Sequence, residues 1–134
     1  MKLNIVQTKE DENDITFNEL SSAVNGAYEN INIDMALDYI EFPLRLDFLK
    51  QAVDKLKFGG YISISGIDVT ECNMALETGE LNIEQYNELI FKNKYKSLNN
   101  ILSIIDSLQN YGLIIESKTF SQPTTYYVKA KRPE

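Results

Sequence analysis

The sequence predicts an α/β fold built on a mostly parallel sheet, and three stretches carry that reading. Residues 43–65 hold an apolar helical stripe, a double glycine and the alternating run Tyr61-Ile62-Ser63-Ile64-Ser65. A helix that returns into a strand is half of a βαβ unit, and residues 31–36 supply the strand before it, so the two strands run parallel. Near the C-terminus, residues 113–120 and 125–131 read as strands separated only by Ser121-Gln122-Pro123-Thr124, close enough for an antiparallel hairpin. The expected architecture is three-layered: a sheet of about five strands, parallel except for the C-terminal hairpin, with helices on both faces.

Taken in order, Leu3, Ile5 and Val6 mark a short first strand. Residues 7–14 form a polar, mostly acidic connection without glycine. Asp14 or Thr16 caps a helix with Phe17, Leu20 and Val24 on one face and Gly26 as its stop. Ile31, Ile33, Met35 and Leu37 alternate in a second strand. Pro43 then opens a helix, where its missing N–H has no intrahelical partner to lose. Leu46, Leu49, Val53 and Leu56 make the helix's stripe, and Gly59 closes it in the left-handed conformation. After the third strand, Asp68 or Thr70 caps a helix that Gly79 ends. Asn82 and Gln85 have capping-box spacing ahead of a helix carrying Ile83, Tyr86, Leu89 and Ile90. Ser97 caps a further helix with Leu98, Ile101, Leu102, Ile105 and Leu108 inward and Gly112 at its end.

The totals bound the function. A chain of 134 residues with 43% hydrophobic side chains makes one domain, residues 1–134, with a real core. A net charge of −7 argues against nucleic acid and against anionic membrane surfaces, both of which need Lys and Arg. No stretch has the length and apolarity of a membrane span or signal peptide, so a cytoplasmic protein is expected. The chain has no histidine, which rules out imidazole bases, Ser-His-Asp triads and His-ligated zinc within it. Cys72, the single cysteine, has no imidazole to activate it.

Few residues are placed for chemistry. Asp34 and Asp38 could serve as a general acid/base pair, though a strand end and a turn cap explain them as well. Asp68 follows the third strand, where an N-cap role accounts for it. Tyr126 and Tyr127 fit strand propensity. Lys129, Lys131 and Arg132 read as a solvated strand end. No glycine-rich phosphate loop, metal-ligand spacing or nucleophile elbow occurs.

From about residue 30 onward the order of these words resembles the C-terminal half of class I S-adenosylmethionine-dependent methyltransferases. Ala36-Leu37-Asp38-Tyr39-Ile40 sits where such enzymes often carry a Leu-Glu-His-Ile run after the fourth strand, with Tyr39 in place of the histidine. Leu56-Lys57-Phe58-Gly59-Gly60-Tyr61 is similar to their Leu-Lys-Pro-Gly-Gly turn, and Asn110-Tyr111-Gly112-Leu113 to their Asn-Ala-Gly-Phe turn. The resemblance implies a Rossmann-like methyltransferase sheet that is shortened at its start. The family's methyl donor lies over a glycine-rich turn after the first strand; here residues 7–14 hold no glycine and four acids, Glu10, Asp11, Glu12 and Asp14. The space between Gly26 and Ile31 is too short for the family's second and third strands.

The resulting expectation is a non-catalytic, methyltransferase-like structural or assembly module without a cofactor, similar to shortened proteins of tailed bacteriophages and sited in the host cytoplasm or the virion. If the second and third strands are missing, the first strand is a sheet edge, and an edge must be covered or paired. Leu3, Ile5 and Val6 are therefore the expected contact for a protein partner or a second copy. The alternative is a compact methyltransferase whose donor site a partner subunit completes.

Overall fold

A computed structural model describes residues 1–10, 12–121 and 124–134. Six strands form a single sheet: β1 Lys2–Ile5, β2 Asp14–Ile15, β3 Tyr28–Asp34, β4 Leu56–Ile67, β5 Ile114–Ser121 and β6 Thr125–Lys131, in the order β2-β1-β3-β4-β6-β5. β2, β1, β3 and β4 run parallel, and β6 is antiparallel to both β4 and β5. The helices are α1 Arg45–Lys55, α2 Val69–Thr78, α3 Ile83–Asn87 and α4 Ile101–Asn110. The α/β class, the parallel pairing of β3 with β4 and the closing hairpin are as the sequence predicts.

Period-two alternation sorts the strands into two unlike faces. On one face Leu3, Ile5, Ile31, Ile33, Ile62, Ile64, Tyr126, Val128 and Ala130 are buried in a core with Phe48, Leu49, Ala52 and Val53 of α1 and Ile101, Ile104 and Leu108 of α4. On the other face stand Asn4, Asn32, Ser63 and Tyr127, which are polar and only part-covered. The long helices α1 and α4 thus share one face. At the carboxyl end of β4, Ile67, Cys72, Ala75 and Leu81 form a smaller cluster joined by Met35, Tyr86 and Tyr95. α2 and α3 gather around Ile67 at that end, while the middle of the second face carries Asn and Ser.

The edge expected at the first strand is corrected. β1 lies between β2 and β3, and Leu3 (4% exposed) and Ile5 (0%) are core residues. Val6 is half-buried, and its N–H donates to Ile15 O at 2.9 Å. The edges are β2, with two residues, and β5. β5 carries a register shift between Ile115 and Ser117, with Lys118 beyond it. A short strand at one edge, and a bulge with a lysine at the other, are standard protections against edge pairing.

Thr16 opens a 3-10 turn, Phe17–Ser22, instead of a long helix; Glu19 Oε1 accepts its N–H at 3.0 Å. Asp14 lies in β2 and accepts hydrogen bonds from Asn4 Nδ2 (2.9 Å) and Glu10 N–H (3.0 Å). β3 ends at Asp34, and Met35 turns left-handed at φ 54. Pro43 sits in a 3-10 turn, Phe42–Leu44, and Leu46 is exposed; the buried stripe of α1 runs through Phe48, Leu49, Ala52 and Val53. α1 ends at Lys55, so Gly59 (φ 81) is not its stop but a bend inside β4, with its N–H on Arg132 O. A side chain at Gly60 would meet Glu29 O at 2.8 Å, so the bare backbone there permits the close approach to β3. Arg132, expected to be solvated, donates through Nη1 to Val53 O and Leu56 O and lies over the Phe58 ring at 4.2 Å. It thereby satisfies carbonyls at the end of α1.

Asp68 caps α2 and Gly79 (φ 84) closes it, as expected. Asn82 and Gln85 form the capping box of α3, which continues into a π-helical turn, Glu88–Lys92. The cap of α4 is Asn100, not Ser97. The turn expected at residues 121–124 includes Gln122 and Pro123, which lie outside the described residues, as does Asp11. Among the described residues no helix is long and apolar enough to cross a membrane.

Candidate functional site

The segment after β3 folds into a 3-10 turn, Leu37–Tyr39, that sends Asp38 inward and Tyr39 outward. Asp38 is buried and accepts from Ile67 N–H and Asn99 Nδ2, both at 2.9 Å. Asn99 in turn accepts from Arg45 Nη1 at 2.9 Å and donates to Ser97 Oγ at 3.2 Å. The Asp38 carbonyl accepts from Lys96 N–H and Ser97 N–H, and Ser97 Oγ donates to Leu37 O. A second buried carboxylate, Asp68, accepts from Glu71 N–H (2.9 Å) and Ile101 N–H (2.7 Å), so it anchors the starts of α2 and α4 together. This network fastens four elements at the carboxyl ends of β3 and β4. Burial holds Asp38 above its ordinary value of 3.8, outweighing the Ile67 and Asn99 hydrogen bonds that favour the charged form.

Gly66 makes room for it. A side chain there would meet Asp38 Oδ2 at 2.8 Å and the Tyr126 hydroxyl at 2.9 Å. Gly66→Ala should therefore lower stability by about 1–3 kcal/mol, the usual cost of overfilling a packed site, measured by urea unfolding. Tyr126 is fully buried, and its hydroxyl has no hydrogen-bond partner among the described residues. Tyr126→Phe should leave stability unchanged or raise it by up to about 1 kcal/mol, because it removes an unsatisfied polar atom and keeps the ring.

Asp34 and Asp38 do not form a pair. Asp34 is exposed at the end of β3, accepts from Ser65 Oγ at 3.0 Å and faces the polar side of the sheet, whereas Asp38 is in the interior. A cleft of about 410 Å³ runs along that polar side, lined by Asn4, Asp14, Asn32, Asp34, Ser63 and Tyr127 among others. Its polar groups are largely spent on one another: Asn32 Nδ2 donates to Asn4 Oδ1 at 3.0 Å, and the Tyr127 hydroxyl to Ser63 Oγ at 3.1 Å.

A larger crevice of about 710 Å³ opens at the carboxyl ends of β1 and β3. Ile5, Val6, Ala36 and Ile40 make its apolar floor, Phe17 and Leu44 one wall, and Tyr39 with Asn93, Lys94 and Lys96 the other. Tyr39 packs on Tyr95 with ring centroids 5.0 Å apart; burial, with Tyr39 and Asp38 nearby, pushes the Tyr95 hydroxyl up to about 12. Phe17 leans on Phe48 at 5.2 Å. Open sheets of this kind place ligands outside the carboxyl ends of their strands, so this crevice is the candidate site. Cys72 is not part of it: the thiol is buried and pushed up to about 11 by desolvation, with Asp68 and Glu71 adding to the shift. Among the described residues no group of three His, Cys, Asp or Glu side chains could hold a metal ion.

The fold, with an antiparallel β6 between β4 and β5, is similar to that of solved structures. One is a SAM-dependent methyltransferase from Archaeoglobus fulgidus, at TM-score 0.65 and 15% identity over 90% of this chain and 67% of that one. Another is a SAM-dependent methyltransferase from Thermotoga maritima, at TM-score 0.61 and 14% identity over 89% and 62%. A third, from Mesorhizobium loti, has TM-score 0.59 and 15% identity over 82% and 64%. The chain has a class I methyltransferase-like fold. It spans about two thirds of the length of these neighbours. No family model matches the sequence, and no curated protein does.

Within this fold, β2 stands beside β1 on the side away from β3, where the resemblance places a second strand. The sheet thus has six strands instead of about five, because two residues, Asp14 and Ile15, retain that pairing. Residues 6–13 join β1 to β2, a shorter link than the dozen or so residues a parallel crossover normally takes. The described part of that link contains no helix. Tyr39, which stands where the resemblance puts a histidine, is packed on Tyr95 and lines the crevice. Sequence reasoning missed Arg45 and Asn99 of the buried network and Lys94 and Lys96 of the crevice, whose local signal is the polar run Asn93-Lys94-Tyr95-Lys96.

Proposed function

We propose that this chain is a methyltransferase-fold module that acts by binding and does not transfer methyl groups. The observation that supports this is the link between β1 and β2. In sheets of this class a ligand's polar groups meet bare backbone and a helix N-terminus after the first strand. Residues 6–13 hold no glycine, and their described part holds no helix; they include Glu10 and Glu12, and Glu10 N–H is already bonded to Asp14. Large apolar side chains left on the surface, among them Ile83 (67% exposed), Phe91 (74%) and Leu102 (69%), support protein contacts as the mode of action. An assembly role in a virion is the finer form of this reading.

A compact S-adenosylmethionine-dependent methyltransferase is the second reading, favoured by the crevice, whose volume falls within the roughly 300–1,000 Å³ of small-molecule sites. Calorimetric titration with S-adenosylhomocysteine separates the two. The first reading expects no heat of binding at millimolar ligand, and a micromolar site would overturn it.

A further inference from the structure

We propose that the crevice at the carboxyl ends of β1 and β3 takes an organic anion with a flat apolar body, its charged group held by Lys94 and Lys96. This deepens the reading of the chain as a binding module and rests on it.

The charge of the lining is the first argument. The chain carries −7 overall, yet among the described residues the crevice is lined by Lys94 and Lys96 against one acid, Glu41. Neither lysine makes an ion pair among the described residues. A locally positive hollow on an acidic protein does nothing for solubility, and it concentrates anions at its mouth.

The backbone is the second. Lys94 holds φ 60, a left-handed conformation that costs a side-chain-bearing residue about 1 kcal/mol or more. Residues are kept in such conformations where the surroundings fix them. Here Asn93 Nδ2 donates to Leu89 O at 2.7 Å, and Lys96 N–H donates to the carbonyl of buried Asp38 at 2.8 Å. The loop that presents both ammonium groups is thus pinned at each end. Met35, a second left-handed residue that is not glycine, adjoins Ala36 in the crevice floor.

The walls are the third. Tyr39 and Phe17 are each braced by a second ring, Tyr95 and Phe48, and Ile5, Val6 and Ala36 lie beneath. Aromatic walls over an aliphatic floor suit a planar ring system. The compact ammonium groups at the rim suit a carboxylate, phosphate or sulfonate.

Saturation-transfer NMR with matched probes tests this: 2-naphthoate, naphthalene-2-sulfonate and adenosine 5′-monophosphate against the neutral 2-naphthol and adenosine. The anions should bind about tenfold tighter than their neutral partners, the effect of one charge-assisted contact. Lys94→Gln with Lys96→Gln should abolish that preference while leaving the melting temperature unchanged, since both side chains are exposed. Equal binding of neutral and anionic probes, an anion preference that survives the double substitution, or no binding of any probe at millimolar concentration would each overturn the proposal. These outcomes leave the reading as a binding module standing. A micromolar S-adenosylhomocysteine site would sink that reading and this proposal with it.

Discussion

Asp38→Ala should destabilise the protein by about 2–4 kcal/mol, a large share of the stability of a domain this size. The carboxylate accepts from the Ile67 amide and from Asn99, and both donors are buried. Truncation leaves the amide without a partner and frees Asn99, which is what holds Arg45 Nη1. Leaving a buried donor unmade costs more than the net value of the hydrogen bond. The loss should depend on pH, and its sign follows from the raised pKa. Because folding raises the pKa of Asp38, its titration favours the folded state fully below the ordinary 3.8, and that contribution is lost as pH climbs through the raised value. Asp38→Ala should therefore cost more in mildly acidic buffer than at neutral pH. Urea unfolding of both proteins in the two buffers measures the difference; a larger cost at neutral pH would contradict the assignment.

Phe48→Ala should cost about 3–5 kcal/mol, the range for deleting a buried aromatic ring. Phe48 is fully buried on α1 and is the ring on which Phe17 rests. Phe17 belongs to the turn that walls the crevice, so the same substitution removes the brace behind that wall. Phe48→Leu should recover part of the loss, because it refills most of the volume without the ring contact. Thermal unfolding of the pair gives both numbers, and a loss below about 1 kcal/mol for the alanine variant would contradict the core described above.

What the sequence shows of this fold is what depends on near neighbours. Asp68 and Gly79 bracket α2, Asn82 and Gln85 cap α3, and Tyr61 to Ser65 alternate, because caps and strand faces are set within a few residues. What failed depends on distant contacts. Gly59 looks like a helix stop; it is a strand bend because Arg132 O receives its N–H from across the sheet. Asp14 and Ile15 look like the start of a helix and are captured by β1 as a strand. Ser97 looks like a cap and is drawn inward by Leu37, sixty residues before it in the chain. The site divides the same way. Tyr39 could be placed by its order after the second predicted strand, whereas Lys94 and Lys96 reach the crevice only because their loop hangs from the Asp38 carbonyl.

The measurement that bears most directly on the central claim is an amide-resolved NMR titration with S-adenosylmethionine, following Val6, Gln7, Thr8 and Glu10. A link that does not cradle the methyl donor predicts amide positions unchanged to millimolar ligand. Saturable shifts of those amides at micromolar ligand would show that the donor is held there after all.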